Sequence, residues 1–246
     1  MRVTGLKRTF WMSVCALTFS VSLPSVAAIS SDELLSGLSE SAPNLDPRVL
    51  RYALDATSCA VRNGTAYPER LAVIDFSLPS SEQRLWIFDL EKRQLLMRDL
   101  VAHGRNSGDR DATAFSNVEG SHQSSIGLFR AAESYRGKHG YSLRLDGLEP
   151  GFNDLARQRA IVIHGADYVD PSWVTTYGRI GRSQGCPAVR QEIITEVVDS
   201  LKGGQLVFKY YPDQDWLARS GLLHCGDKGG AMAGVTGESA DHSRDS

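Results

Sequence analysis

The sequence predicts a mostly β fold, a β-rich sandwich or barrel with peripheral α-helices. About seven short runs of β-branched and aromatic residues, separated by turn-forming residues, lie between residues 70 and 211. The longer helical patterns lie in two regions, one near the N-terminus and one just before the last apolar run. The chain has 246 residues, of which 41% are hydrophobic. That length is ample for one domain with a sizeable core and loose ends.

The N-terminus is typical of a secretory signal peptide. Arg2, Lys7 and Arg8 precede an apolar run over residues 10–23, which is followed by the small-residue site Val26-Ala27-Ala28. An uncleaved membrane anchor is the alternative, but the run is shorter than the roughly 20 residues that span a bilayer. We therefore assign residues 1–28 to a signal peptide cut after Ala28.

The charge balance argues against a nucleic-acid partner. Cleavage removes three of the 27 basic residues and none of the 29 acidic ones, which leaves a mildly acidic chain. Such a surface lacks the positive field that binds phosphate backbones. No later stretch is apolar enough to span a membrane, so we expect no stable membrane insertion after cleavage.

The first half of the mature chain predicts helices followed by an antiparallel meander. Leu34, Leu35 and Leu38 recur at helical spacing, and a second helix begins at "PRVLRYALDATSCAV", so residues 29–66 form a helical segment. Three strands follow: "RLAVIDF", "RLWIFDL" and "LLMRDLVAHG". Residues 105–125 are polar and aperiodic, and loops of that length in compact domains are often functional.

The second half continues with strands. We predict strands in "SIGLFRAAESY" and "YSLRLDGL", a short helix in "GFNDLARQR", and an apolar strand "AIVIHG" that ends near His164. A helix in "QEIITEVVDSLKGG" and a last strand "QLVFKYY" complete a domain over residues 67–216. The composition of residues 217–246 predicts a disordered tail.

The mature chain has three cysteines, Cys59, Cys186 and Cys225. In an oxidising compartment an odd count implies one free thiol or an intermolecular bridge. Pairing Cys59 with Cys225 is the simpler arrangement, because it leaves the glycine-flanked Cys186 free. A bridge from Cys186 to either of the others and three free thiols are the open alternatives.

Cys186 has the surroundings of a catalytic nucleophile. It lies in "GRIGRSQGCPAV", where Gly185 permits a tight turn that could aim backbone amides at an oxyanion, and Pro187 keeps the cysteine out of a helix interior. His164, at a strand end and followed by Gly165, is a candidate general base. A small buried cysteine and a structural histidine are the alternatives from spacing alone.

A metal site is not predicted. The histidines and the cysteine form no CxxC, HxxxH or HExxH pair. No motif indicates a cofactor.

The motifs together resemble the L,D-transpeptidase (YkuD-like) family, and most closely its murein L,D-transpeptidase catalytic domain subfamily of Gram-negative bacteria. The matching pieces span about residues 70–210. They are "IDFSLPSSEQRLWIFDL", "VAHGRNSG", "FSNVEGSHQSSIGLF", "YRGKHGYSLRLDGLEPGFND", "RAIVIHGADYV" and "GRSQGCPAV".

The resemblance implies a periplasmic, monomeric enzyme that acts on peptidoglycan stem peptides and needs no cofactor. Cys186 would form a thioester with the donor peptide, and an amine would resolve it to a 3→3 cross-link. His164 would be the base, with its ring oriented by the backbone carbonyl that follows it, and the amides of Gly185 and Cys186 would hold the oxyanion. Resolution by water, which gives L,D-carboxypeptidase trimming, and an inactive peptidoglycan-binding protein are the alternative functions.

The chain departs from the family pattern at two positions. Gln184 stands where many members have histidine, and Ala188 stands where they have an arginine thought to hold the substrate. That role would pass to Arg179, Arg182 or Arg190, and we favour Arg182.

The remaining substrate-binding candidates are Ser183, Gly165, Tyr168, His103 and Ser125. His103 and Ser125 are expected in the cleft wall, with turn chemistry as the alternative for Ser125. His103 is also a secondary candidate for the base.

Overall fold

The structure, a computed structural model, describes Met1 and residues 31 to 225. The predicted signal peptide and most of the predicted tail lie outside these residues. Within the described part of the chain, no helix combines the length and apolar character that a bilayer crossing requires.

Eight strands and five helices make up the described fold. The strands are β1 Arg70–Asp75, β2 Leu85–Asp89, β3 Gln94–Asp99, β4 Gly127–Gly137, β5 Gly140–Gly147, β6 Val162–Gly165, β7 Ala188–Val189 and β8 Leu206–Tyr210. The helices are α1 Ser31–Ser41, α2 Pro47–Arg62, α3 Pro171–Tyr177, α4 Ile194–Leu201 and α5 Gln214–Arg219.

All eight strands form one mixed sheet, in the order β3-β2-β1-β8-β4-β5-β6-β7. An antiparallel bridge between Ala102, which follows β3, and Ala188 of β7 brings the two edges together, so the sheet is nearly closed. The β-rich fold with peripheral helices is therefore confirmed, as is the antiparallel β1-β2-β3 meander.

The apolar runs form strands because both faces of the central sheet are covered. Every residue of β2 is buried, and only Arg70 of β1 is partly exposed. On one side α2 contacts β1, β4 and β8. This helix begins at Pro47 after Asp46, whose side chain accepts a hydrogen bond from the Arg48 amide, an arrangement typical of a helix N-terminus.

The C-terminal segment is fastened to the body of the domain. Cys59 of α2 and Cys225 form a disulfide with a Cα–Cα distance of 5.6 Å, which confirms the simpler pairing. Glu149 accepts hydrogen bonds from Trp216 Nε1 at 2.9 Å and Ser220 Oγ at 2.5 Å. Residues 217–225, which the composition assigned to a disordered tail, are thus part of the described fold, and only residues from 226 onward lie outside it.

Two local predictions differ from the structure. "GFNDLARQR" is a series of turns rather than a helix, because the Asn153 side chain donates to the carbonyls of Ile126 and Leu128 and ties the segment to β4. The third strand ends at Asp99 instead of running to Gly104, since the chain beyond it pairs with the Cys186 segment.

Candidate active site

A cleft of about 990 Å³ lies where β6, the β4–β5 hairpin and the segment before β7 meet. Both Cys186 and His164 line it. The cleft is also lined by the turn before β6, by Glu119, Gly120 and His122 of the long polar loop, and by Gln191. It therefore has the size of a site for a peptide-like ligand.

Cys186 is the free cysteine of the described chain and lies against the start of β6. The Val162 amide donates to its Sγ at 3.4 Å, and the Ala160 carbonyl lies 3.8 Å from the sulfur. Burial raises the pKa of the thiol above its ordinary value of 9.0, although the Val162 hydrogen bond and nearby cationic side chains oppose the shift. The resting Cys186 thiol is therefore neutral.

The segment that carries Cys186 is held by two serines. Ser183 Oγ accepts from the Gly185 amide at 3.1 Å and donates to the Cys186 carbonyl at 2.6 Å. Ser124 Oγ accepts from the Gly104 amide and donates to the Gly185 carbonyl at 3.1 Å. These bonds fix the turn that presents the thiol.

Close backbone packing also requires two glycines here. A Cβ at Gly104 would lie 2.8 Å from the Gly185 Cα, so only glycine lets the two segments approach. Gly185 has φ of 116°, a region that side-chain-bearing residues avoid.

His164 is at the end of β6 with its ring facing the cleft. Its Nδ1 lies 2.9 Å from the Gly165 carbonyl. A carbonyl can only accept, so Nδ1 carries the proton and Nε2 keeps a free lone pair. Burial lowers the pKa of His164, and the neighbouring His139 ring, 4.6 Å away between centroids, lowers it further.

The two groups are therefore both neutral at rest. No hydrogen bond joins the His164 ring to the Cys186 thiol among the described contacts. The segments that carry them are adjacent, however, since His164 pairs with Ala188 of β7 and the His164 amide lies 3.4 Å from the Pro187 carbonyl. Catalytic hydrogen bonds are often loose before substrate binds, so this geometry is compatible with proton transfer from the thiol to Nε2.

One of the two expected oxyanion donors already makes a hydrogen bond within the protein. The Gly185 amide donates to Ser183 Oγ, so it is not available to an oxyanion in this conformation. The Cys186 amide has no partner among the described residues and stays the candidate donor.

The family model described as "L,D-transpeptidase catalytic domain" matches residues 41–210. The chain belongs to this family.

Solved L,D-transpeptidases resemble the chain weakly. The enzyme from Mycobacterium smegmatis is 13% identical with a TM-score of 0.37, and the match covers 58% of this chain and 59% of that one. L,D-transpeptidase 3 from Mycobacterium tuberculosis is 11% identical with a TM-score of 0.38, covering 58% and 62%. The protein from Stackebrandtia nassauensis is 11% identical with a TM-score of 0.37, covering 72% and 76%. A search of curated proteins found no match, so membership rests on the family model.

Within this L,D-transpeptidase domain, most of the predicted site residues lie at the cleft. Those that line it with Cys186 and His164 are Gly165, Tyr168, Arg182 and Ser183. Burial raises the pKa of Tyr168 to about 12, so its hydroxyl stays protonated. Gly181 packs directly against the Tyr168 ring, since a Cβ there would lie 2.5 Å from the Tyr168 Cβ.

His103 and Ser125 do not line the cleft, contrary to the sequence-based expectation. Both side chains are fully buried. His103 Nδ1 accepts from the Arg84 guanidinium at 2.7 Å, and burial followed by the charge of Arg84 lowers its pKa to about 4. His103 is thus a core histidine, and its backbone carbonyl supports the nucleophile segment by accepting from the Ser183 amide at 2.9 Å.

Several cleft residues were not singled out from the sequence. Tyr135, Lys138, His139 and Gly140 come from the β4–β5 hairpin, and Arg159 comes from the turn before β6. The hairpin residues belong to "YRGKHGY", a motif quoted for the resemblance but without an assigned role. Only the sheet order, which places β5 beside β6, brings them to the site.

Proposed function

We propose that the protein is a periplasmic L,D-transpeptidase that joins peptidoglycan stem peptides through a Cys186 thioester. The observation that carries the proposal is the placement of a free thiol and a histidine with an available Nε2 in one cleft of a chain from this family. The chain covers 59% of the Mycobacterium smegmatis enzyme's length, so activity and substrate are our inference.

In the proposed reaction, substrate binding brings His164 Nε2 to the thiol. Nε2 takes the thiol proton as Sγ attacks the carbonyl between the third residue of the stem and its terminal D-alanine. The Cys186 amide stabilises the oxyanion. The imidazolium then protonates the leaving amine, and D-alanine departs.

The resulting thioester is resolved by the side-chain amine of a second stem. His164 deprotonates that amine, and collapse of the second tetrahedral intermediate restores the thiol. Because the resting pair is neutral, the thiolate forms mainly when a carbonyl is in place, which slows the reaction of the nucleophile with other electrophiles.

Export to the periplasm is part of the proposal. The N-terminal residues match a signal peptide, and Cys59 and Cys225 form a disulfide, which persists in oxidising compartments.

The direct test is incubation of the purified protein with disaccharide-tetrapeptide, followed by mass spectrometry. Wild type is expected to release D-alanine and form a 3→3 linked dimer, whereas Cys186→Ala does neither. Ser125→Ala is the matched control, because Ser125 is buried outside the cleft and its Oγ has no hydrogen-bond partner among the described residues.

Equal turnover by wild type and Cys186→Ala would refute the mechanism. Release of D-alanine without dimer, at any acceptor concentration, would identify an L,D-carboxypeptidase instead. No turnover by wild type would favour a binding protein.

A further inference from the structure

The chain lacks the arginine that the family pattern places two residues after the nucleophile. Ala188 occupies that position within β7, where it is fully buried and pairs with Ala102 and His164. A substrate-binding cation must therefore come from another part of the chain.

The three arginines suggested by sequence proximity are all neutralised by carboxylates. Arg179 Nε and Arg182 Nη1 lie 2.8 and 3.1 Å from Asp109 Oδ1. Arg190 makes a two-pronged ion pair with Asp99 at 2.8 and 2.5 Å. Although Arg182 lines the cleft, the sequence-based preference for it loses support, because its charge is already paired.

Arg159 differs from these three. Its guanidinium is fixed by neutral acceptors: Nη1 donates to the Ser116 carbonyl at 2.5 Å, and Nη2 donates to the Gln123 carbonyl at 2.6 Å and to Ser121 Oγ at 3.3 Å. No carboxylate among the described residues lies within ion-pair distance of it. Arg159 therefore presents a preorganised, uncompensated positive charge to the cleft that it lines.

This charge lies beside the nucleophile. The Gln123 carbonyl, which accepts from Arg159 Nη2, lies so close to Gly185 that a Cβ there would be 2.8 Å from its oxygen, and Gly185 directly precedes Cys186. The charge of Arg159 also opposes the rise in the pKa of the thiol. Lys209 also acts on the thiol, but it is completely buried with its Nζ 3.6 Å from the centre of the Phe129 ring, so it cannot contact a ligand. Of the two cations that act on the thiol, Arg159 is thus the one that lines the cleft and is available to an anionic group bound there.

We propose that Arg159 binds the C-terminal carboxylate of the donor peptide, the carboxylate of the D-alanine that leaves. This assignment rests on the proposed function, since it places the scissile carbonyl at Sγ. The assignment also explains why the donor would be a tetrapeptide rather than a longer stem. In a tetrapeptide the C-terminal carboxylate lies one residue beyond the attacked carbonyl. In a longer stem that carboxylate would lie farther from Arg159.

The first experiment needs no peptidoglycan and compares alkylation of Cys186 by iodoacetate, which carries a carboxylate, and by neutral iodoacetamide. Both reagents form a thioether and release iodide. Relative to N-acetylcysteine, wild type is expected to favour iodoacetate about tenfold, because a charge-assisted contact to an aligned guanidinium is strong. Arg159→Gln is expected to lose this preference, and Arg159→Lys to keep part of it.

Arg179→Gln is the matched control, because it removes an arginine that is paired with Asp109 and does not line the cleft. It should leave the reagent preference unchanged. If wild type preferred iodoacetate over iodoacetamide no more than N-acetylcysteine does, that result alone would overturn the proposal. An unchanged preference in folded Arg159→Gln would overturn it as well.

The second experiment compares tetrapeptides with a free and an amidated C-terminus. Amidation should lower kcat/KM of wild type by at least tenfold. It should hardly change kcat/KM of Arg159→Gln, since the guanidinium that binds the carboxylate is already absent from that variant. Equal sensitivity of both proteins to amidation would refute the assignment. A reagent preference without peptide turnover would instead support the anion site and refute the proposed function.

Discussion

Two of the three His-Gly pairs in this chain have similar preceding sequences and opposite chemistry. His103-Gly104 and His164-Gly165 both follow apolar segments, but His103 Nδ1 accepts from Arg84 whereas His164 Nδ1 donates to the Gly165 carbonyl. The proton therefore sits on Nε2 of His103 and on Nδ1 of His164. Of these two histidines, only His164 presents a basic nitrogen to the cleft. The hydrogen-bond partner of one ring nitrogen thus determines whether the other nitrogen of a histidine can serve as a base.

The largest effect that this comparison predicts is on activity. His164→Gln should lower the rate of D-alanine release by about 10³-fold, the usual range for loss of a general base. His103→Leu should retain most of the wild-type rate when the fold is intact, as judged by circular dichroism. Comparable losses in both variants, measured by the same mass-spectrometric assay, would remove the distinction between the two histidines.

The second effect is on stability, and here substitution of His103 should have a larger effect than substitution of His164. His103→Leu should lower the free energy of unfolding by about 2 kcal/mol, because it deletes a hydrogen bond to the buried guanidinium of Arg84. His164→Leu should cost less than about 1 kcal/mol, since its ring bonds only to the adjacent residue. Urea titrations of both variants test this order, and a larger cost at His164 would contradict it.

The third effect is the pH dependence of stability. Because the folded-state pKa of His103 is about 4, below the ordinary 6.5, the unfolded chain binds the proton more readily. This stabilisation is complete above pH 6.5 and is lost as the pH falls toward 4. The stability advantage of wild type over His103→Leu should therefore fall by about 3 kcal/mol across that interval. A constant advantage would show that His103 protonates normally in the folded protein.

The smallest effect concerns the neighbour of His164. The His139 ring lowers the pKa of His164, so His139→Gln should raise it. Since the base must be unprotonated, the acidic limb of the kcat/KM profile should move to higher pH by less than about one unit. A shift in the other direction would mean that His139 stabilises the charged ring.

The strands were predictable because their signals are local. β1, β2, β4, β5 and β8 coincide with runs of β-branched and aromatic residues that are buried in the sheet. Helix α3 has no buried residue, and β7 has only two residues. Neither element therefore has a periodic pattern of apolar residues by which the sequence could predict it. The "GFNDLARQR" segment has helical composition, but the long-range bonds of Asn153 override it.

The sequence by itself predicted a β-rich domain, named Cys186 and His164 as candidates for a reactive pair, and indicated the family to which the chain belongs. It did so because strand periodicity and a set of ordered motifs are properties of neighbouring residues. Only the tertiary structure showed that His103 is a core residue bound to Arg84, and that Arg159 is without a carboxylate partner among the described residues where Arg182 has one. Those differences depend on partners that are distant along the chain, such as Arg84, Ser116 and Asp109, and a side chain's burial and charge balance exist only after those partners are in place.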